Sequence, residues 1–147
     1  MQPISQNSNN TDKLVTELLE IMKQLRHKDN GCPWDKQQTF ETISKYTIEE
    51  AYEVVEAINN KDWENLNEEL GDLLLQVVYH SQIAHELGMF EFHDVVKNIS
   101  TKMISRHPHI FENKNKKQSL EQQAKDWEEI KDIEKKKKTN NKGYLLD

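Results

Sequence analysis

Apolar residues in this chain recur mostly at helical spacing, every three or four positions. Leu14, Leu18, Ile21, Met22 and Leu25 set the spacing and predict a first helix from about Asp12 to Arg26. A loop containing Gly31 and Pro33 follows, then a second helix from near Thr39 to Asn59, with a break expected near Thr47, which can cap a run starting at Ile48. The third, about Asp62 to Leu87, puts Trp63, Leu66, Leu70, Leu73, Leu74, Val77 and Ala84 on one face and is stopped by Gly88. The fourth, about Glu91 to Arg106, turns Phe92, Val95, Val96, Ile99 and Met103 inward and ends before Pro108. A fifth, about Ser119 to Lys135, carries only a narrow stripe of Leu120, Ala124, Trp127 and Ile130. Nothing from residue 12 to 135 alternates like a strand, so the expected fold is all-α, a four-helix core with a peripheral C-terminal helix. Residues 1–11, polar and Asn-rich, are expected to be disordered; 12–135 form the helical domain; 136–147 form a flexible basic tail.

Acids interrupt this pattern in the second helix. At roughly 100° per residue, Val54 falls about 40° to one side of Glu50 and Ala57 about 20° to the other, so a carboxylate sits inside the apolar stripe. A capping box from Thr47 accounts for Glu50 but not for Glu53, its i+3 neighbour on the same face. Glu49 and Glu56 stand one step further toward solvent. On the third helix Asn65, Glu69, Asp72 and Gln76, spaced i, i+4, i+7 and i+11, form one strip beside the apolar face. If the two helices pack antiparallel across the short Asn59–Lys61 turn, Glu50 and Glu53 face Glu69 and Asp72.

Charge sharpens this expectation. The stretch from Glu41 to Asp72 holds ten acids against two lysines, and like charges a few ångströms apart in a half-buried site raise one another's pKa unless a cation intervenes. Carboxylates on helices favour magnesium, with manganese as a substitute, over calcium, which takes more ligands and draws carbonyls from irregular loops. The Glu-x-x-His signature of di-iron bundles is missing, and position 89 is Met where a zinc-protease motif would need His. Across the whole chain, residues 1–113 carry 10 Lys/Arg against 19 Asp/Glu, and residues 114–147 carry 10 against 7. The acidic body disfavours nucleic acid as a partner, leaving only the lysine-rich tail as a weak candidate for it. No apolar run approaches the roughly 18 residues of a membrane span. The single cysteine, Cys32, and the lack of a visible signal peptide lead to the expectation of a cytoplasmic protein.

Lys102 and Arg106, spaced i, i+4, lie within or at the edge of the inward arc of the fourth helix. Two readings stand open: aliphatic stems covering the core with heads in water, or a clamp on phosphate oxygens. Trp34, in the loop before the second helix, either stacks on a base or plugs a core edge. The histidines, His107 and His109 included, are expected to be structural or solvent-facing.

The pair Glu50-x-x-Glu53 with Glu69-x-x-Asp72 resembles the metal signature of the all-α nucleoside triphosphate pyrophosphohydrolases, and the surrounding residues resemble the MazG branch. GCPWDKQQTF (31–40), YTIEEAYEVVEAI (46–58), EELGDLLLQVVYHSQIA (68–84), RHPHIF (106–111) and WEEIK (127–131) carry the resemblance over roughly residues 12 to 131. It implies hydrolysis of a nucleoside triphosphate to the monophosphate and pyrophosphate with magnesium. Glu50, Glu53, Glu69 and Asp72 would then hold metal, Lys102 and Arg106 the triphosphate, and Glu49 would orient or deprotonate the water. Trp34 completes the expected substrate contacts, and Glu53 is expected to act in catalysis as well as metal binding. The family often carries two such units in tandem and this chain has one, so a catalytically silent, metal-stabilised dimerisation module of a larger protein is the rival expectation. A homodimer or homotetramer is expected in either case, because the third and fifth helices carry more apolar stripe than one short bundle covers.

Overall fold

The computed structural model describes residues 4–112 and 119–142, with side chains described for 10–112 and 119–138. Within these residues the chain is all-helical: α1 (Ile4–Leu25), α2 (Pro33–Lys36), α3 (Phe40–Asn59), α4 (Trp63–Glu86), α5 (Phe92–Arg106), α6 (Pro108–Phe111) and α7 (Leu120–Lys142). The five long helices are those the periodicity predicts. Two single-turn helices, α2 and α6, are additions, each started by a proline at its first turn, where a missing N–H costs nothing.

The ends differ from expectation at both termini. Helix α1 begins at Ile4 rather than near Asp12, through most of the stretch expected to be disordered, and α7 runs on through the lysine run to Lys142 rather than stopping near Lys135. Lysine is a good helix former, and nothing before Gly143 breaks the run. Residues 1–3 and 143–147, the outer parts of the expected disordered start and flexible tail, lie outside the described residues.

The chain divides into two compact units, Met1–His93 and Asp94–Asp147. In the first, α3 and α4 are joined by a tight turn in which Lys61 takes the left-handed conformation (φ 53°) and Asp62 caps α4 by accepting from the Asn65 amide at 3.2 Å. Thr39 and Thr42 cap α3 reciprocally. The α3 helix is continuous, so the expected break at Thr47 does not occur. Met22 from α1, Ile43 from α3 and Val78, Tyr79 and Ile83 from α4 make the buried core, with Leu18, Phe40, Leu75 and Phe92 packed against it. Buried α4 positions thus lie on the side of Val78, Ile83 and Ala84, whereas Trp63, Leu70, Leu74 and Val77, expected inward, are exposed.

Helix α5, whose first residues Phe92 and His93 belong to the first unit, ends before Pro108, as the sequence predicts. Its expected inward set is split: Phe92, Val95 and Met103 are half-buried, while Val96 and Ile99 are exposed.

Candidate functional site

Helices α3 and α4 meet along a polar seam. At its centre Glu50, Glu69 and Asp72 each offer a carboxylate oxygen lying within 4.8 Å of the others. Glu50 is half-buried because its neighbour on the helix face, Ala57, is fully buried, and the turn at Asn60–Asp62 brings α4's acids back alongside it. Burial pushes the Glu50 carboxyl above the usual carboxylate range, and the charges of Asp72, Glu53 and Glu49 add to the effect. Glu69 is pushed up to about 7, first by desolvation, then by Glu50, by a hydrogen bond shared with Asp72, and by Glu53. Glu53 and Glu49 are exposed; Glu53 is near enough to act on both Glu50 and Glu69 but is not one of the three grouped oxygens.

The decisive atom is Glu50 Oε2, which is buried and has no hydrogen-bond partner. An orphaned anionic oxygen among other carboxylates is costly unless a cation meets it. The donor set, all hard oxygens on two rigid helices, fits magnesium or manganese. The capping-box account of Glu50 fails here, because Thr47 is not a cap: its hydroxyl turns to Ile43 O at 3.4 Å and to α4.

One turn along the seam, Gln76 of the expected polar strip meets Thr47 and His80, a pairing that periodicity alone does not single out. Thr47 Oγ1 donates to Oε1 of the buried Gln76 at 3.1 Å and lies 3.0 Å from His80 Nε2. With its one proton given to Gln76, the hydroxyl accepts from an Nε2–H tautomer of His80. Burial lowers the His80 pKa and keeps the ring neutral, stacked 5.9 Å from Phe40. The signal was present as spacing: Asp72, Gln76 and His80 follow one another at i+4, and Thr47 stands three before Glu50.

The loop bearing Trp34 is fastened from beneath. Arg26 Nη1 donates to the carbonyls of Asp35 (2.6 Å) and Gln38 (3.1 Å), while its Nε and Nη2 grip Glu86 at 2.9 Å each. Tyr79 donates to Asp35 Oδ1 at 2.8 Å. Burial would raise Glu86, but the hydrogen bonds from Arg26 and Gln82 outweigh it and hold the carboxyl low. Gly31 makes the turn possible, since a Cβ there would collide with the backbone of Leu25 and His27. Trp34 itself is 51% exposed, with its ring edge-on to Tyr46 at 6.2 Å, so it stands at a core edge with a face open.

Lys102 and Arg106 belong to the second unit, both half-buried. Arg106 stacks over Trp127 at 4.9 Å and pairs with Glu134 at 2.8 Å, and His107 meets the same Trp127 ring at 5.4 Å. His107 and His109 are thus ring-packed, in line with a structural role.

An all-helical fold with Glu50, Glu69 and Asp72 grouped between two helices narrows the class, and comparison with known proteins says which it is. The family described as the MazG nucleotide pyrophosphohydrolase domain matches residues 38–111. The chain is 49% identical over 127 residues to a nucleoside triphosphate pyrophosphohydrolase of Escherichia coli, covering 86% of this chain and 48% of that protein. It is 46% identical over 129 residues to the nucleoside triphosphate pyrophosphohydrolase/pyrophosphatase MazG of Thermotoga maritima, covering 88% and 48%. The crystal structure of a mazG-related protein from Thermotoga maritima superposes with a TM-score of 0.66 at 31% identity, covering 80% of this chain and 98% of that one. The chain belongs to the MazG family. It spans about half the length of these curated relatives.

Proposed function

We propose that this protein is a magnesium-dependent nucleoside triphosphate pyrophosphohydrolase that converts ribo- or deoxynucleoside triphosphates to the monophosphate and pyrophosphate, controlling or cleaning the nucleotide pool. The observation that carries the reading is the buried, unpartnered Glu50 Oε2 beside Glu69 and Asp72. The names of the relatives from Escherichia coli and Thermotoga maritima support the same reaction.

In this reading Glu50, Glu69 and Asp72, with Glu53 at the rim, hold a divalent cation, which would polarise phosphoryl oxygens and offset the charge of the leaving group. Glu49, exposed beside Glu50, orients a water and takes its proton. The water oxygen forms a bond to the α-phosphorus as the bond from that phosphorus to the bridging oxygen breaks, and pyrophosphate leaves. Lys102 and Arg106 take the triphosphate oxygens, and the open face of Trp34 takes the base. A cytoplasmic setting belongs to the same reading; among the described residues no helix is long and apolar enough to cross a membrane.

We propose further that the protein works as a homodimer or homotetramer. Ile48, Tyr52 and Val55 on α3 and Trp63, Leu70, Leu74 and Val77 on α4 lie exposed at helical spacing, and an apolar surface of that extent is rarely left to water.

Pyrophosphate release, coupled to a pyrophosphatase and read as phosphate, tests the reaction. Wild type should turn over at least one nucleotide with magnesium, and Glu53→Gln or Asp72→Asn should lose about 100-fold or more. If wild type turns over none of the common ribo- and deoxynucleotides, the chain is instead a silent, metal-stabilised dimerisation module.

A further inference from the structure

Arg106 is not free to receive a ligand. Its Nη2 donates to Glu134 Oε1 at 2.8 Å and its Nε to Oε2 at 3.4 Å, a two-toothed grip on one carboxylate. Ser105 Oγ donates to the same Oε2 at 3.4 Å. The guanidinium also lies over the Trp127 ring, 4.9 Å from its centre. The Arg106 side chain is only 14% exposed, against 30% for Glu134, so the carboxylate lies on the more open side of the pair. The hydrogen bond from Arg106 chiefly holds the Glu134 carboxyl below its ordinary range, with Ser105 and the charge of Lys102 assisting against partial burial.

Around this pair runs a groove of about 730 Å³ between α5 and α7. Lys131, Lys135 and Lys138 line it at i, i+4 and i+7 on α7, facing Lys102 from α5. Of its acids, Glu128 lies 3.8 Å from Lys131. A linear chain of phosphates matches such a row of cations, and a phosphoryl group competes with a carboxylate for the same planar guanidinium fork.

We infer that Glu134 is an internal competitor that sets the affinity of this groove for phosphate chains: it occupies the Arg106 guanidinium, and an entering oligophosphate binds by displacing it. The inference rests on the reading of Arg106 as a phosphate-binding residue, and it names what that residue must release. No covalent bond changes; one anion replaces another on Arg106, and Glu134 is left among the lysines of the groove. The reverse exchange helps expel pyrophosphate, since the carboxylate is tethered beside the site it reoccupies.

Calorimetric titration of the full chain with inorganic tripolyphosphate, in chelator without divalent metal, tests this apart from turnover. Glu134→Gln should bind about three- to tenfold tighter than wild type, and Arg106→Gln correspondingly weaker, with Glu134→Gln adding nothing in that background. Glu134→Asp keeps the charge but withdraws it by one methylene; a smaller gain is expected, and this variant carries the test should glutamine unsettle α7. Asp132→Asn removes another groove acid and measures the gain from net charge alone. The inference is overturned if Glu134→Gln gains no more than Asp132→Asn, or gains equally in the Arg106→Gln background. If Arg106→Gln binds like wild type, the assignment of Arg106 to phosphate falls, and the inference with it; weakening by Arg106→Gln without a gain from Glu134→Gln overturns the inference alone.

Discussion

Glu69 shows how one carboxyl reports the state of the site. Its folded-state pKa is raised to about 7 from an ordinary 4.5. A carboxyl with a raised folded pKa favours folding while protonated, so that contribution is present below about pH 4.5 and is lost as pH rises through about 7. His80, lowered by burial, acts oppositely below about 6.5, and Glu86 and Glu134, held low, act only in more acidic solution. Comparison with Glu69→Gln isolates the one group. In metal-free protein the two should melt together at pH 4.5, while at pH 8 the variant should melt at the higher temperature. Adding magnesium at pH 8 should raise the wild-type melting temperature and leave the variant's nearly unchanged. Thermal melts in chelator and in magnesium check both points, and a variant no more stable than wild type at pH 8 would show that the carboxylates do not strain one another.

At the scale of elements, α3 and α4 owe their register to a polar seam as much as to apolar packing. Thr47 is the hinge of that seam, because one hydroxyl satisfies the buried Gln76 and orients His80 across the helix pair. Thr47→Val keeps the shape and leaves both partners short of a hydrogen bond, so it should cost about 1–3 kcal/mol of stability in denaturant unfolding, whereas Thr47→Ser should cost much less. The sequence suggested a helix break at this residue because threonine is a good cap and Glu50 stands where a capping box wants an acid. Local propensity lost to tertiary contact: Thr39, eight residues earlier, caps α3 instead. The outer ends of α1 and α7 run past their expected limits for a related reason: between Ile4 and Asp12 and after Lys135 the polar stretches hold no strong helix breaker, and polarity by itself is no stop signal.

At the scale of the whole molecule, large apolar side chains stand open to solvent among the described residues. Tyr52 is 71% exposed and Trp63 60% exposed, on the two helices that build the acid cluster. If this face meets a second copy, Leu74→Glu places charge in the interface and should shift the protein from an oligomer to a monomer in light scattering, with its helix content retained. A wild-type monomer at micromolar concentration would remove the oligomer from the reading.

Sequence alone determined that the chain is helical, where its five long helices lie apart from the outer ends of α1 and α7, and that Glu50 and Glu53 share one strip of α3 and Glu69 and Asp72 one strip of α4. Those features follow from a 3.6-residue period, which any helix imposes on side-chain direction whatever it packs against. Only the tertiary structure decided which α4 face is buried, that Glu50 rather than Glu53 carries the orphaned oxygen, and that Thr47, His80, Tyr79 and Arg26 tie α1, α3, α4 and the Trp34 loop together. Partners separated by 29 to 60 positions leave no periodic trace, because their meeting depends on how helices cross and not on how residues are spaced within one.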